Sequence, residues 1–176
     1  MRFQFARVTS IVLSSLAILG IAVATGAQSA SQTPGTSSSS QHVAVPSAQQ
    51  KWGPAPPSLP AGAQVAILKG DPAQPGPFAI AIKMPSGYTV PPHWHPTDEN
   101  LVVIEGSLAL GMGDSVNAAA ETTLDAGGYS FMPKEMHHYA KAKAATTFVL
   151  YGTGPFAITY VNPADDPRGK TGPSSK

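Results

Sequence analysis

Four histidines lie between residues 93 and 138, and the first two are separated by one residue, in His93-Trp94-His95. On a strand, residues i and i+2 share a face, so this spacing sets two imidazoles side by side and turns Trp94 away. Glu99 follows after Pro96-Thr97-Asp98, a turn short enough to return a carboxylate beside them at the start of the next strand. Two neutral imidazoles and one carboxylate, with positions left open for solvent or substrate, suit a divalent first-row metal. The competing reading is an alternating surface pair. The Val90-Pro91-Pro92 lead-in makes the strand too apolar for that. A second pair, His137-His138, offers one more ligand. Neighbours on a strand point to opposite faces, so only one of the two can join without a bulge. His42 stands in a polar run and reads as a solvated bystander.

The elements that must position these groups read as short strands. Apolar or alternating runs cover residues 64–68, 78–84, 89–95, 101–105, 108–112, 121–124, 129–132, 137–140, 146–151 and 156–160. Turn signals separate them, among them Gly70-Asp71-Pro72, Pro85-Ser86-Gly87, Gly113-Asp114 and Ala126-Gly127-Gly128. Strands at this spacing predict an all-β sandwich or barrel. Pro54, Pro56, Pro57 and Pro60 make residues 52–62 an extended arm, because proline cannot donate to a helix. Tyr88, Tyr129, Tyr139, Phe131, Met132, Met112 and Phe148 are read as core. Glu105 shares the face of Glu99 by alternation, and Asp98 points away and caps the turn. The run 101–104 (Leu-Val-Val-Ile) is apolar on both faces, which predicts a homodimer through Val102 and Ile104 unless the arm covers that side.

Composition narrows the rest. The 176 residues include 18 Pro, 17 Gly and no Cys, which excludes helical bundles, disulfide scaffolds, thiolate zinc sites and cysteine nucleophiles. Charged residues are 12% of the chain and the net charge is +1, so a cationic nucleic-acid surface has no basis. No Gly-x-Ser-x-Gly elbow or Gly-rich phosphate loop is present. Arg2 and Arg7 precede an apolar run over residues 11–23 and then small residues, the pattern of a secretory signal over 1–24. Residues 25–51 form a Ser/Gln/Thr-rich linker, 52–160 the folded body, and 161–176 a polar tail. The expectation is a periplasmic or secreted protein with no stable membrane association after cleavage.

The spacing around the histidines resembles the cupin superfamily, and in particular its small, exported, single-domain bacterial members of unassigned activity. The first cupin motif is matched at every fixed position by Gly87, His93, His95, Glu99 and Gly106. The second, over residues 127–142, keeps Gly127, Pro133 and His138 but carries Glu135 in place of an inner glycine and Ala142 in place of asparagine. The resemblance implies a single-domain jelly-roll β-barrel and a metal set of His93, His95, Glu99 and His138. It implies one divalent first-row ion (Fe, Mn, Ni, Cu or Zn) whose binding fades below about pH 6 as free imidazoles protonate. Glu135 would then occupy a turn position that favours positive φ. Two functions follow. One is a metal-dependent, dioxygenase-like enzyme acting on a small organic substrate, with decarboxylation or isomerisation as other chemistries. The other is a metal- or ligand-binding module without turnover. No catalytic residue beyond the ligands is assigned.

Overall fold

The structure, a computed structural model, describes residues 42–170. The expected signal, most of the linker and the last residues of the tail lie outside them. Eleven strands form two antiparallel sheets. The first has the order β1-β2-β3-β10-β5-β8: β1 (Gly53–Pro54), β2 (Gln64–Lys69), β3 (Gly76–Met84), β10 (Thr146–Gly154), β5 (Glu99–Glu105) and β8 (Tyr129–Met132). The second has the order β11-β4-β9-β6-β7: β11 (Thr159–Tyr160), β4 (Thr89–Trp94), β9 (His138–Ala142), β6 (Ser107–Met112) and β7 (Thr122–Asp125). All ten expected strands are present, displaced at their ends by a few residues.

Alternation along these strands builds the core. Leu101 and Val103 on β5, Leu108 and Leu110 on β6 and Phe148 and Leu150 on β10 are all buried. They face one another between the sheets, with Ile80 and Ile82 of β3 beside them. The chain passes from one sheet to the other at Gly106, the single residue between β5 and β6, with φ 85°. Gly111 is bare for a different reason. It pairs with Tyr139 across β6 and β9, and any Cβ there would run into the Tyr139 ring. That ring is buried, and its hydroxyl accepts the Asn117 amide at 2.9 Å.

Three expectations about side-chain direction fail. Tyr129 and Phe131 are 53% and 50% exposed, because β8 is the outer strand of its sheet and turns Met132 inward instead. Met112, at the end of β6, is also exposed. Glu105 does not share the face of Glu99. The β5–β10 ladder shifts register between Val103 and Glu105, and the bulge leaves Glu105 exposed opposite Thr147. Ile104 is exposed and Val102 half-buried on the outer face. The proline arm does not cover them; Pro54, Pro56, Ser58 and Leu59 line the cavity inside the barrel. Two tyrosines fasten this arm. Tyr88 donates to the Pro60 carbonyl at 2.5 Å and Tyr160 to the Ser58 carbonyl at 2.8 Å. Burial pushes the Tyr88 hydroxyl up to about 12, so it stays a donor at working pH.

Candidate metal centre

His93 and His138 are register partners on adjacent strands β4 and β9, and such opposed side chains lie within about 5 Å. Their ring centroids are 4.3 Å apart. His95 follows the end of β4 by one residue, and its ring is 4.9 Å from that of His93 and 5.3 Å from that of His138. Glu99 reaches in from the opposite sheet as the first residue of β5. All four side chains are buried, with exposures of 3–6%. His93, His95 and His138 form a group able to hold a metal ion, each offering one nitrogen within 4.8 Å of the others.

The backbone fixes which nitrogen each imidazole offers. His93 Nδ1 donates to the Pro91 carbonyl at 2.7 Å, His95 Nδ1 to the Ala157 carbonyl at 2.7 Å and His138 Nδ1 to the Met136 carbonyl at 2.9 Å. A carbonyl only accepts, so in the neutral rings the proton resides on Nδ1 and Nε2 is a bare lone pair. Glu99 Oε2 lies 3.2 Å from His95 Nε2 and 3.1 Å from His138 Nε2. Neither approach has hydrogen-bond alignment, and this buried oxygen has no other partner among the described residues. A carboxylate oxygen facing two lone pairs at that range repels them unless a cation lies between. Atoms bound to one first-row ion at about 2.1 Å are spaced roughly 3.0–3.4 Å apart, so the residues present fit a metal.

Charge follows from the same contacts. Burial would raise the Glu99 carboxyl, but His138 and His95 beside it outweigh burial and hold it below the usual carboxylate range. Burial, then the neighbouring His138 and His95, push His93 down to about 3. His138 moves the other way: burial lowers it, but the Glu99 carboxylate more than compensates and the net shift is upward. Protons therefore compete with metal at His138 already above pH 6.5, higher than free imidazoles suggest. Metal affinity is expected to rise with pH until it passes the raised value of His138, and to fall by at least about tenfold per unit below it. Chelator competition across pH 5.5–8 reads this directly, and a flat profile would contradict it.

Neighbouring segments lock the site. Asp98 Oδ1 accepts the Lys134 amide at 2.8 Å, and the Glu135 amide donates to the His95 carbonyl at 2.8 Å. The turn ahead of His138 is thereby tied to the end of the His93-Trp94-His95 strand. Glu135 has φ 63°, the conformation its place in the motif demands, at a cost on the order of 1 kcal/mol. The turn nevertheless delivers His138 inward. His137 points out, with its Nδ1 2.5 Å from the exposed Asp114 Oδ1. Met136, adjacent to this pair, is 39% exposed. Ala142, where the motif has asparagine, is fully buried and apolar.

The four groups line a cavity of about 620 Å³ whose wall is otherwise mostly apolar, including Leu101, Leu108, Leu110, Met132, Phe148 and Leu150. Sequence reasoning missed three contributors. The Phe156 ring stacks on His95 at 4.1 Å, the Ala157 carbonyl orients that histidine, and Arg168 from the tail reaches the cavity wall. The Gly154-Pro155-Phe156 run marks the first; nothing local marks the others.

Two facing antiparallel sheets with three histidines and a glutamate on their inner walls define a cupin. The chain belongs to the DUF4437 family, a domain of unknown function, which it matches over residues 21–159. No curated protein matches it. Among solved structures it is similar to a candidate acetylacetone dioxygenase from Methylibium petroleiphilum PM1, with TM-score 0.57 and 22% identity over 72% of this chain and 85% of that one. It is also similar to an RmlC-like cupin from Shewanella frigidimarina NCIMB 400 (TM-score 0.50, 18% identity, 65% and 91% of the two chains). A third is the DMSP lyase DddQ from Ruegeria pomeroyi DSS-3 (TM-score 0.51, 19% identity, 64% and 61%). At these identities the likeness is one of fold.

Proposed function

We propose that the chain is a metal-dependent cupin oxygenase that binds one divalent first-row ion through His93, His95, Glu99 and His138 and acts on a small, largely apolar substrate. The observation that carries this is the convergence of the bare Nε2 atoms of His95 and His138 on an unpartnered, buried Glu99 oxygen, with His93 grouped beside them at the wall of an apolar cavity. A bound ion would supply Lewis-acid activation of a chelating substrate and redox chemistry with O2. The protein's own part is to hold the ligands in the right tautomer, exclude water and seat the substrate's apolar body. Besides the four groups, the only titratable side chains among the described lining residues are Asp71 and Arg168. With so little acid–base equipment, the metal must carry the chemistry. Substrates that chelate through two oxygens, such as β-diketones or phenols with a second oxygen in the ortho position, suit such a centre.

The same scarcity favours a second reading, a cavity that binds a ligand without turnover. Protein loaded with Fe(II), Mn(II) or Ni(II) and supplied with pentane-2,4-dione separates the two. An oxygenase consumes O2 as the diketone absorbance falls. A binder shows only a higher melting temperature.

A further inference from the structure

The polar tail contributes a cation to the cavity. Arg168 sits in the short 3-10 turn Pro167–Gly169, half exposed, and lines the same cavity as the histidines. Among the described lining residues it is the only Lys or Arg. It lies past residue 159, where the family match ends, so the family motif does not account for it.

Its position is built from several contacts. Nη2 donates to the Ile158 carbonyl at 3.2 Å and to Asp166 Oδ2 at 2.7 Å, and Nε donates to Asp166 Oδ1 at 2.8 Å. Asp166 Oδ1 also accepts the Arg168 amide, at 2.9 Å. The two consecutive carbonyls of Ala157 and Ile158 thus hold His95 and Arg168, two of the residues that line the cavity. A guanidinium carries five N–H donors. Those on Nη1 have no acceptor among the described residues.

Charge decides what they would accept. Asp166 neutralises the guanidinium at contact, and Asp71 lines the same cavity. An anionic group would meet a cation already compensated by Asp166, in a cavity whose wall carries a further carboxylate. We propose that Arg168 is a specificity residue that binds a neutral oxygen acceptor, a ketone or ester oxygen, carried by an apolar substrate in addition to the oxygens that face the histidines. This rests on the proposed function.

The probes are 1-phenylbutane-1,3-dione, its 3- and 4-acetyl ring derivatives and its 4-carboxy derivative, titrated calorimetrically into zinc-loaded protein. The better acetyl derivative should bind about tenfold tighter than the parent, as expected for one hydrogen bond from a charged donor. Arg168→Met should remove that preference while leaving metal content and the parent's Kd within about twofold. Asp166→Asn, which keeps a capping side chain, should tighten the 4-carboxy derivative several-fold. The proposal is overturned if the acetyl group gives no gain, if the gain survives in Arg168→Met, or if wild type prefers the carboxy derivative. If even the parent diketone fails to bind metal-loaded protein, the substrate class of the proposed function falls, and this proposal with it.

Discussion

His138→Ala should lower metal affinity at least tenfold, while His137→Ala leaves metal content at the wild-type level. The two residues are adjacent, equal in chemistry and opposite in direction. His138 is 3% exposed, opposes His93 across the β4–β9 ladder and has its Nε2 3.1 Å from Glu99 Oε2. His137 is on the outside with Asp114. Removing His138 deletes one of three converging nitrogens, and with it the imidazole whose added proton, favoured by Glu99, compensates that buried carboxylate in the metal-free protein. Uncompensated buried charge is costly, so below the raised value of His138 the variant should also melt at a lower temperature without metal. Titration calorimetry with zinc on both variants reads the difference. A weaker His137→Ala would place the register of β9 wrong by one residue.

Gly106→Ala should destabilise the fold by about 3 kcal/mol or more, whereas Gly87→Ala costs about 1 kcal/mol. Both glycines are fixed positions of the first motif and both have positive φ, 85° and 80°. The difference lies in what surrounds them. A Cβ at Gly106 would overlap the Ala145 carbonyl oxygen and sit 2.8 Å from Thr146 Cα, all of it backbone that cannot rotate away. This corner is also stitched by Thr146, whose hydroxyl donates to the Ser107 carbonyl at 3.0 Å and accepts the Ser107 amide at 3.1 Å. A Cβ at Gly87 meets nothing within 4 Å. Only the intrinsic conformational cost applies there. Urea denaturation of metal-free protein should give well-separated midpoints, and equal midpoints would refute the steric argument.

Where the sequence was informative, the reason was local periodicity. His93, His95 and Glu99 are close in the chain, so strand alternation and one short turn bring them together. Turn residues such as Gly70-Asp71-Pro72 marked off ten of the eleven strands; β1, two residues inside the proline arm, went unread. His138 needed the motif, since the choice between it and His137 depends on where β9 begins. What stayed illegible was set by long-range packing. Tyr129 and Phe131 look like core residues until β8 proves to be an outer strand, and Glu105 follows Glu99 until a bulge turns it away. Phe156, Ala157 and Arg168 serve the site from the far end of the body, at separations no spacing rule covers.

A metal held by four buried side chains should be retained through purification, and elemental analysis reads it out. Protein purified without added metal, and a second sample reconstituted and desalted, should each be assayed by plasma mass spectrometry. Close to one first-row transition metal ion per chain is expected in the reconstituted protein, lost in His138→Ala and kept in His137→Ala. A wild-type protein that retains no metal after reconstitution at neutral pH would contradict it.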